Sequence, residues 1–524
     1  MKPALNHRRL RPGMLTMLAY TGVLLGTAAA AVVLPWQFLV WAAPYGALIA
    51  WGLLDARVAV VVMTGTAYFV QSESVVKSHY LRMTVGLFSN PIQIDLPAFY
   101  FGVVLLYVTW YGLSALATPE GRRWRTNRYM APLLGLLAYA LVTLAWAPNM
   151  NWSLLWQVYF AANMLTFWLV FRTADNYLTL RQIVHWLVVV CALNALVAVA
   201  FLFITPIETK VQLTPDISYY LLTGGGGLSA SHWYAKGMFG HRSLLAEYHV
   251  APTIMSIALA LALGLLVSRR HGWSRRLVLL CSAMLFFSLS VTSDVRAPTI
   301  GLIVMIGYLL LCVDRFRAHR LFYGGLAALL FVGILSTDFY VRRVVSGSRQ
   351  YPRILSVMPW LSSETRGPKN EFTLGSGGTI RSGARSELFS DATRRFVESY
   401  GLGGGIDNGR YTGADRIGSY VHNVTLSVLQ DFGVPGLAFA AWLGWILVRS
   451  FLRLMRAPPS EPKEFALTVV GAGAAVLGAS IADFVYNDGF LWPTLGLCAA
   501  AMECGVRTVG QAGPAASLGA PGSQ

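Results

Sequence analysis

The stretch LLAEYHVAPTIMSIALALALGLLVSRRHGWSRRLVLLCSAMLFFSLSV, residues 244–291, decides the fold class. Its first run, 244–267, carries Glu247 near its start and no other Asp, Glu, Lys or Arg. A helix of that length, rising 1.5 Å per residue, crosses a hydrocarbon core of about 30 Å. Arg269, Arg270, Arg275 and Arg276 interrupt the pattern, and a second apolar run follows over 277–291. Apolar, basic, apolar is the order of a membrane hairpin whose connection lies on the positively charged side.

The same alternation extends along the chain. Spans are expected at 13–33, 37–54, 57–71, 96–116, 129–147, 153–171, 182–205, 244–267, 277–291, 297–313, 320–336, 424–447, 464–482 and 488–503. The third, ninth and tenth are short for a bilayer core. Composition agrees: of 524 residues 55% are hydrophobic and 12% charged, against about 25% charged in soluble proteins. The expectation is an all-α polytopic membrane protein with about 12–14 transmembrane helices. The five cysteines lie in or beside apolar runs without C-x-x-C spacing, which excludes a disulfide-stapled fold and a zinc module.

The net charge of +17 does not point to nucleic acid, because it follows the loops. Arg57, Arg122, Arg123, Arg125, Arg128, Arg172, Arg181, Arg315, Arg317, Arg320, Arg449, Arg453, Arg456, Lys463 and Arg507 join the four arginines above on one side of the alternation. By the positive-inside rule that side is cytoplasmic. Both termini are then inside, and the long segment 337–423 faces out. The expected organisation is N-terminal helices over 1–229, a region 230–450 containing the outer loop, a C-terminal hairpin 451–507, and a disordered Gly-, Ala-, Pro- and Ser-rich tail 508–524.

Candidate chemistry collects on the outer side. Within the loop, Leu388, Phe389, Ala392, Phe396 and Tyr400 recur at helical spacing, with Ser382 as N-cap and Gly401 as stop, and predict an amphipathic helix. Gly401, Gly403, Gly404 and Gly405 then form either an anion-cradling turn or a plain return loop. His422 stands where the chain re-enters the bundle and reads either as an interfacial imidazole or as a base near neutral pH. Arg242 and Arg296 abut apolar runs, where guanidinium either snorkels or clamps a diphosphate. Glu247 is a partner for Arg242 in the empty state, and Asp483 and Asp488 flank the last outer hairpin. No H-x-x-x-H or H-E-x-x-H pair suggests a metal.

Five segments resemble, in order, motifs of the O-antigen ligase and O-antigen polymerase superfamily: KGMFGHRSLLAEY at 236–248, SLSVTSDVRAP at 288–298, GARSELF at 383–389, GLGGGIDNG at 401–409 and HNVTLSVLQDFGVPG at 422–436. The likeness covers about 230–450; the first two hundred residues agree only in hydropathy. Ser243, Leu244 and Val295 depart from the family pattern, whereas arginine is kept at 242 and 296.

The resemblance implies an enzyme of the bacterial inner membrane, with its loop in the periplasm. Such an enzyme moves a glycan from an undecaprenyl-diphosphate carrier to a sugar hydroxyl, with no metal, cofactor or nucleotide sugar. On that analogy Arg242 and Arg296 neutralise the departing diphosphate and Arg385 assists from the loop. His422 takes the acceptor's proton, and Asn423 holds geometry. His241, Gly403 and Gly404 complete the implied substrate contacts. The acceptor is lipid A core for a ligase and another carrier-linked repeat for a polymerase. A flippase for lipid-linked oligosaccharide is the alternative of another class; it would line several spans with basic residues.

Overall fold

The computed structural model describes residues 46–69, 81–85, 92–96, 98–116, 128–148, 150–204, 250–268, 272–292, 296–345, 372–374, 378–380, 392–406, 423–481 and 489–512. Six of the helices among them are long and apolar enough to cross a membrane, and four shorter apolar helices accompany them. The architecture is a predominantly helical, polytopic bundle.

Helix α1 covers 46–54 and α2 covers Ala56–Phe69. A hairpin of β1, Leu81–Val85, and β2, Ile92–Leu96, leads to α3, Ala98–Leu116. Then come α4, Met130–Thr143, with a 3₁₀ turn over Leu144–Trp146; α5, Met150–Thr173; α6, Tyr177–Ile204; and α7, Val250–Val267. They are followed by α8, Trp273–Val291; α9, Arg296–Cys312; the short α10, Asp314–Ala318; and α11, Arg320–Val345. A second hairpin pairs β3, Phe372–Leu374, with β4, Gly378–Ile380, ahead of α12 at 392–398. The chain closes with α13, Val424–Arg456; α14, Glu461–Ser480; and α15, Leu491–Ala512.

Several expectations are corrected. The ninth span is not short: α8 starts at Trp273 and has 19 residues. Helix α11 runs on to Val345, so the segment assigned to the loop from 337 begins as helix. Helix α15 continues to Ala512, past the start of the supposed tail. The two hairpins were not foreseen, although LRMTV and IQIDL alternate apolar and polar residues with the period of a strand. The expected span at 13–33 lies outside the described residues.

Helix α14 is the hub, packing most extensively on α9, α7 and α15. Its small residues explain why. A Cβ on Gly301 of α9 would strike the Ala475 carbonyl, and one on Gly478 would come 2.9 Å from the Gly301 Cα. Backbones that close can gain dispersion contacts that lipid does not supply. Helix α11, by contrast, is peripheral, with Leu321 87%, Leu329 70% and Val332 60% exposed, a surface suited to lipid.

Helix ends meet on two faces. On one, Arg128 pairs with Glu503, and the Tyr129 hydroxyl lies 2.7 Å from Ser450 Oγ. Nearby, Tyr177 and Ser268 both donate to Glu461 Oε1, at 2.9 and 2.8 Å. Lys463 Nζ donates to the Met455 and Ala457 carbonyls at 2.9 and 2.6 Å and so caps the end of α13. These contacts gather loops placed together by charge alternation on a single basic face. At the other ends of the helices, residues 401–406 meet Tyr139, Trp146 and Ser153.

Candidate functional site

The centre of the loop face is a break in α13. Gly433 adopts φ 61°, ψ −155°, a region essentially restricted to glycine, and Pro435 follows two residues later. Proline inside a helix normally removes one hydrogen bond and clashes with the preceding turn. Here the break makes Pro435 part of the first turn of a new helix, where a missing N–H is harmless. The portion after the break, 434–456, is by itself about 34 Å long at 1.5 Å per residue, enough to cross a bilayer core. The expected span at 424–447 lies within α13, one of the six helices long and apolar enough to cross, and the part after the break already supplies a bilayer's length.

The broken helix leaves backbone groups to satisfy, and the glycine turn supplies the partners. Gly404 N donates to the Gln430 carbonyl and Gly405 N to the Asp431 carbonyl, both at 2.9 Å. The second of these is the carbonyl that the N–H of residue 435 would have engaged, had residue 435 not been proline. In return Val434 N donates to the Gly401 carbonyl at 2.9 Å. Such close approach excludes side chains: a Cβ on Gly403 would lie 2.5 Å from the Asp431 carbonyl oxygen, and one on Gly433 would strike the Gly401 carbonyl.

Other elements fix the outside of the turn. Tyr139 donates to the Leu402 carbonyl at 2.8 Å, Trp146 Nε1 to the Gly403 carbonyl at 2.7 Å, and Ser153 to the Ile406 carbonyl at 3.0 Å. Helix α12 enters the turn through a Schellman-type end, with Gly401 N bonded to the Phe396 carbonyl and Tyr400 N to the Val397 carbonyl. Tyr400 takes the left-handed position with φ 52°. It is 94% exposed, so it does not sit on the buried face of the amphipathic helix as its spacing suggested. Leu388, Phe389 and the cap Ser382 lie outside the described residues.

The anion-cradle reading of the turn is corrected by this accounting. The N–H groups of Gly401, Gly404 and Gly405 are donated to carbonyls, and that of Gly403 to Ser399 Oγ at 3.0 Å. Gly403 and Gly404 thus serve backbone docking, and their amides are already engaged.

The start of α13 is equally well determined. Asn423 is its N-cap: Oδ1 accepts from Leu426 N at 3.0 Å while Nδ2 donates to the Ile481 carbonyl at 2.9 Å. At the other end of the segment, Phe432 packs on Phe160, which in turn meets Trp492 edge-on, each pair with ring centroids 5.6 Å apart. Segment 424–432 is thus held between the end of α14, the middle of α5 and the beginning of α15.

Beside the docked turn lies a groove of about 500 Å³ lined by Trp146, Pro148, Arg395, Ser399, Tyr400 and Gln430, among others. Gln430 is 6% exposed, and its Oε1 has no hydrogen-bond partner among the described residues. The Gln157 Oε1, on α5, is likewise without one.

Of the residues singled out from sequence, the structure brings Gly403, Gly404 and Asn423 to the two ends of one nine-residue helical segment. Arg296 is placed only through its backbone, as the first residue of α9. His422, Arg242, His241, Arg385, Glu247, Asp483 and Asp488 lie outside the described residues. Sequence reasoning missed Trp146, Ser153 and Gln430. The polar pair Gln430–Asp431 inside an otherwise apolar run was the available signal. Among the described residues no group of three His, Cys, Asp or Glu could hold a metal ion. Neither the family models nor the curated proteins compared with this chain match it.

Proposed function

We propose that this chain is a membrane glycosyltransferase of the ligase and polymerase type. It takes a glycan from an undecaprenyl-diphosphate carrier at the periplasmic face of the inner membrane. The observation that carries the reading is the interlock between GLGGG at 401–405 and the DFGVPG break at 431–436. Two of the five family-like segments are built to fit one another at the mouth of the bundle. His422 directly precedes Asn423, whose carboxamide is engaged at both ends.

The reaction needs little from the protein beyond positioning and charge. The His422 imidazole accepts the proton of the acceptor hydroxyl as its oxygen attacks the anomeric carbon. The bond from that carbon to the diphosphate breaks, and the diphosphate leaves with the electron pair, inverting the centre. Arg242 and Arg296 neutralise the leaving group, with Arg385 assisting. General-base help contributes about 10²- to 10⁴-fold. His422→Ala should therefore lower transfer by at least about 10²-fold while protein level and donor binding persist; near-normal transfer removes His422 from the mechanism.

The acceptor separates ligase from polymerase. The ligase reading comes first, and the Gly-Met-Phe-Gly-His-Arg form at 237–242, somewhat similar to exopolysaccharide and capsule polymerases, keeps the polymerase reading close behind it. Deletion in the native host decides between them. Long carrier-linked polymer absent from lipid A core indicates a ligase, and single repeats without longer chains indicate a polymerase. Movement of labelled carrier lipid between leaflets, without glycan joining, indicates a flippase instead.

A further inference from the structure

We infer that the seam between the starts of α6 and α8 binds the headgroup phosphate of an anionic phospholipid in the surrounding bilayer. The inference concerns the basic face of the bundle and does not depend on the glycosyl-transfer reading.

Three side chains make the seam cationic. Arg181 and His185 stand one turn apart on the same side of α6. Helix α6 packs against α8, whose first turn carries Arg275. The charges of Arg275 and Arg181 both act on the His185 imidazole, and no carboxylate joins them there. Acids at this end of the bundle are engaged elsewhere. Asp55 holds Arg57 at 2.6 Å, Asp175 accepts from Asn176 at 2.7 Å, and Glu461 accepts from Tyr177 and Ser268. Among the described residues, the side chains of His185 and Arg275 make no hydrogen bond or ion pair. Like charges gathered in this way repel, and an anion seated between them relieves the repulsion. Arg275 and Arg181 offer guanidinium donors to phosphate oxygens, and an imidazole N–H is available at His185 in either charge state.

What lies alongside identifies the anion as a lipid. Both α6 and α8 are long and apolar enough to cross a membrane. At 1.5 Å per residue, Arg181 lies about 6 Å and Arg275 about 3 Å from the first residue of its helix, distances on the scale of the headgroup layer. Trp186 and Trp273 are exposed beside them, and tryptophan favours that layer. Farther along, Leu193 and Leu196 on α6 and Val278 and Leu280 on α8 are exposed as well, a surface suited to acyl chains. A free phosphate would meet the cations and leave this apolar surface unused. An acidic protein segment would have to enter the hydrocarbon to cover it. A phospholipid matches both parts at once, and basic pockets between membrane helices are known to hold such headgroups.

The test uses the full chain in neutral detergent, titrated with phosphatidylglycerol or with phosphatidylcholine of the same acyl chains and followed by native mass spectrometry. The wild-type chain should bind phosphatidylglycerol more tightly. One cation near a membrane surface contributes about fivefold to such binding, so Arg181→Gln/Arg275→Gln should weaken it about 25-fold. Phosphatidylcholine binding and Tm should not change. Arg449→Gln/Arg453→Gln removes the same charge from exposed positions on α13, which packs on α4 and α15. That variant should stay within about twofold of wild type. Equal binding of the two lipids by the wild-type chain overturns the inference. Equal loss in the two variants overturns it in favour of diffuse surface charge, and loss of both lipids or a lower Tm overturns it in favour of a structural role. Displacement of phosphatidylglycerol by millimolar inorganic phosphate would mean that a soluble anion is the ligand, which overturns the lipid assignment. Should the double variant fail to accumulate, Arg275→Gln alone carries the test at an exposed position, with about a fivefold loss expected and no loss overturning it.

Discussion

Gly433→Ala is the sharpest perturbation of the loop face. The native backbone at 433 sits at φ 61°, ψ −155°, and holding a residue other than glycine there costs about 1–3 kcal/mol. The added methyl would also strike the Gly401 carbonyl and come 2.5 Å from the Leu402 carbonyl carbon, so the turn has to retreat. Retreat breaks the three bonds between turn and helix, each with a net contribution of about 0.5–1.5 kcal/mol. Together these effects amount to about 2.5–7.5 kcal/mol against the docked turn, or roughly two to five decades in its docking equilibrium. Amide hydrogen exchange reads this directly at Gly404, Gly405 and Val434, which donate the three bonds. Exchange at those amides should accelerate by at least about 10²-fold, with protection in α14 retained. Gly404→Ala is the internal control: its Cβ would meet nothing closer than the Gln430 carbonyl at 3.7 Å. Undisturbed protection in Gly433→Ala, or equal loss in both variants, would refute the interlock as the source of order in this region.

Two further outcomes follow from the bundle itself. Gly301→Leu should lower Tm in detergent by several degrees or prevent accumulation, because α9 and α14 are in backbone contact at Ala475 and Gly478; a wild-type melt would show that the contact contributes little. Lys463→Met removes the ammonium shared by the Met455 and Ala457 carbonyls, and a melt should show a loss of about 1.5–3 kcal/mol, the range for hydrogen bonds to charged groups.

The helices were legible because lipid imposes a plain rule: a long apolar run has only itself to bond with. Residues 250–267 announce α7 for that reason, and their burial within the bundle adds nothing that hydropathy needed. The break at Gly433 had a signal in G-V-P, yet the expected span 424–447 ran straight through it. What fills the break was not visible. The donor that replaces Pro435's missing N–H at the Asp431 carbonyl comes from Gly405, some thirty residues upstream, and no periodicity connects them. Glycine is ambiguous in the same way: the permissiveness that lets a backbone embrace an anion lets it embrace another backbone, and at Gly403 the second use holds. Tyr400 shows the limit of spacing arguments, because helical register says nothing once the helix has ended two residues earlier. The β1–β2 hairpin was legible in its alternation but was overshadowed by the much stronger apolar signal around it.

The fit between turn and broken helix also bears on chimera design. Exchanging the whole connection between α11 and α13 for that of another protein would discard the donors to Gln430 and Asp431 and leave those carbonyls stranded. A recombination boundary drawn after Ile406 keeps residues 401–406 together with the helices they bond to. Junctions placed within 401–406 should accordingly be rejected.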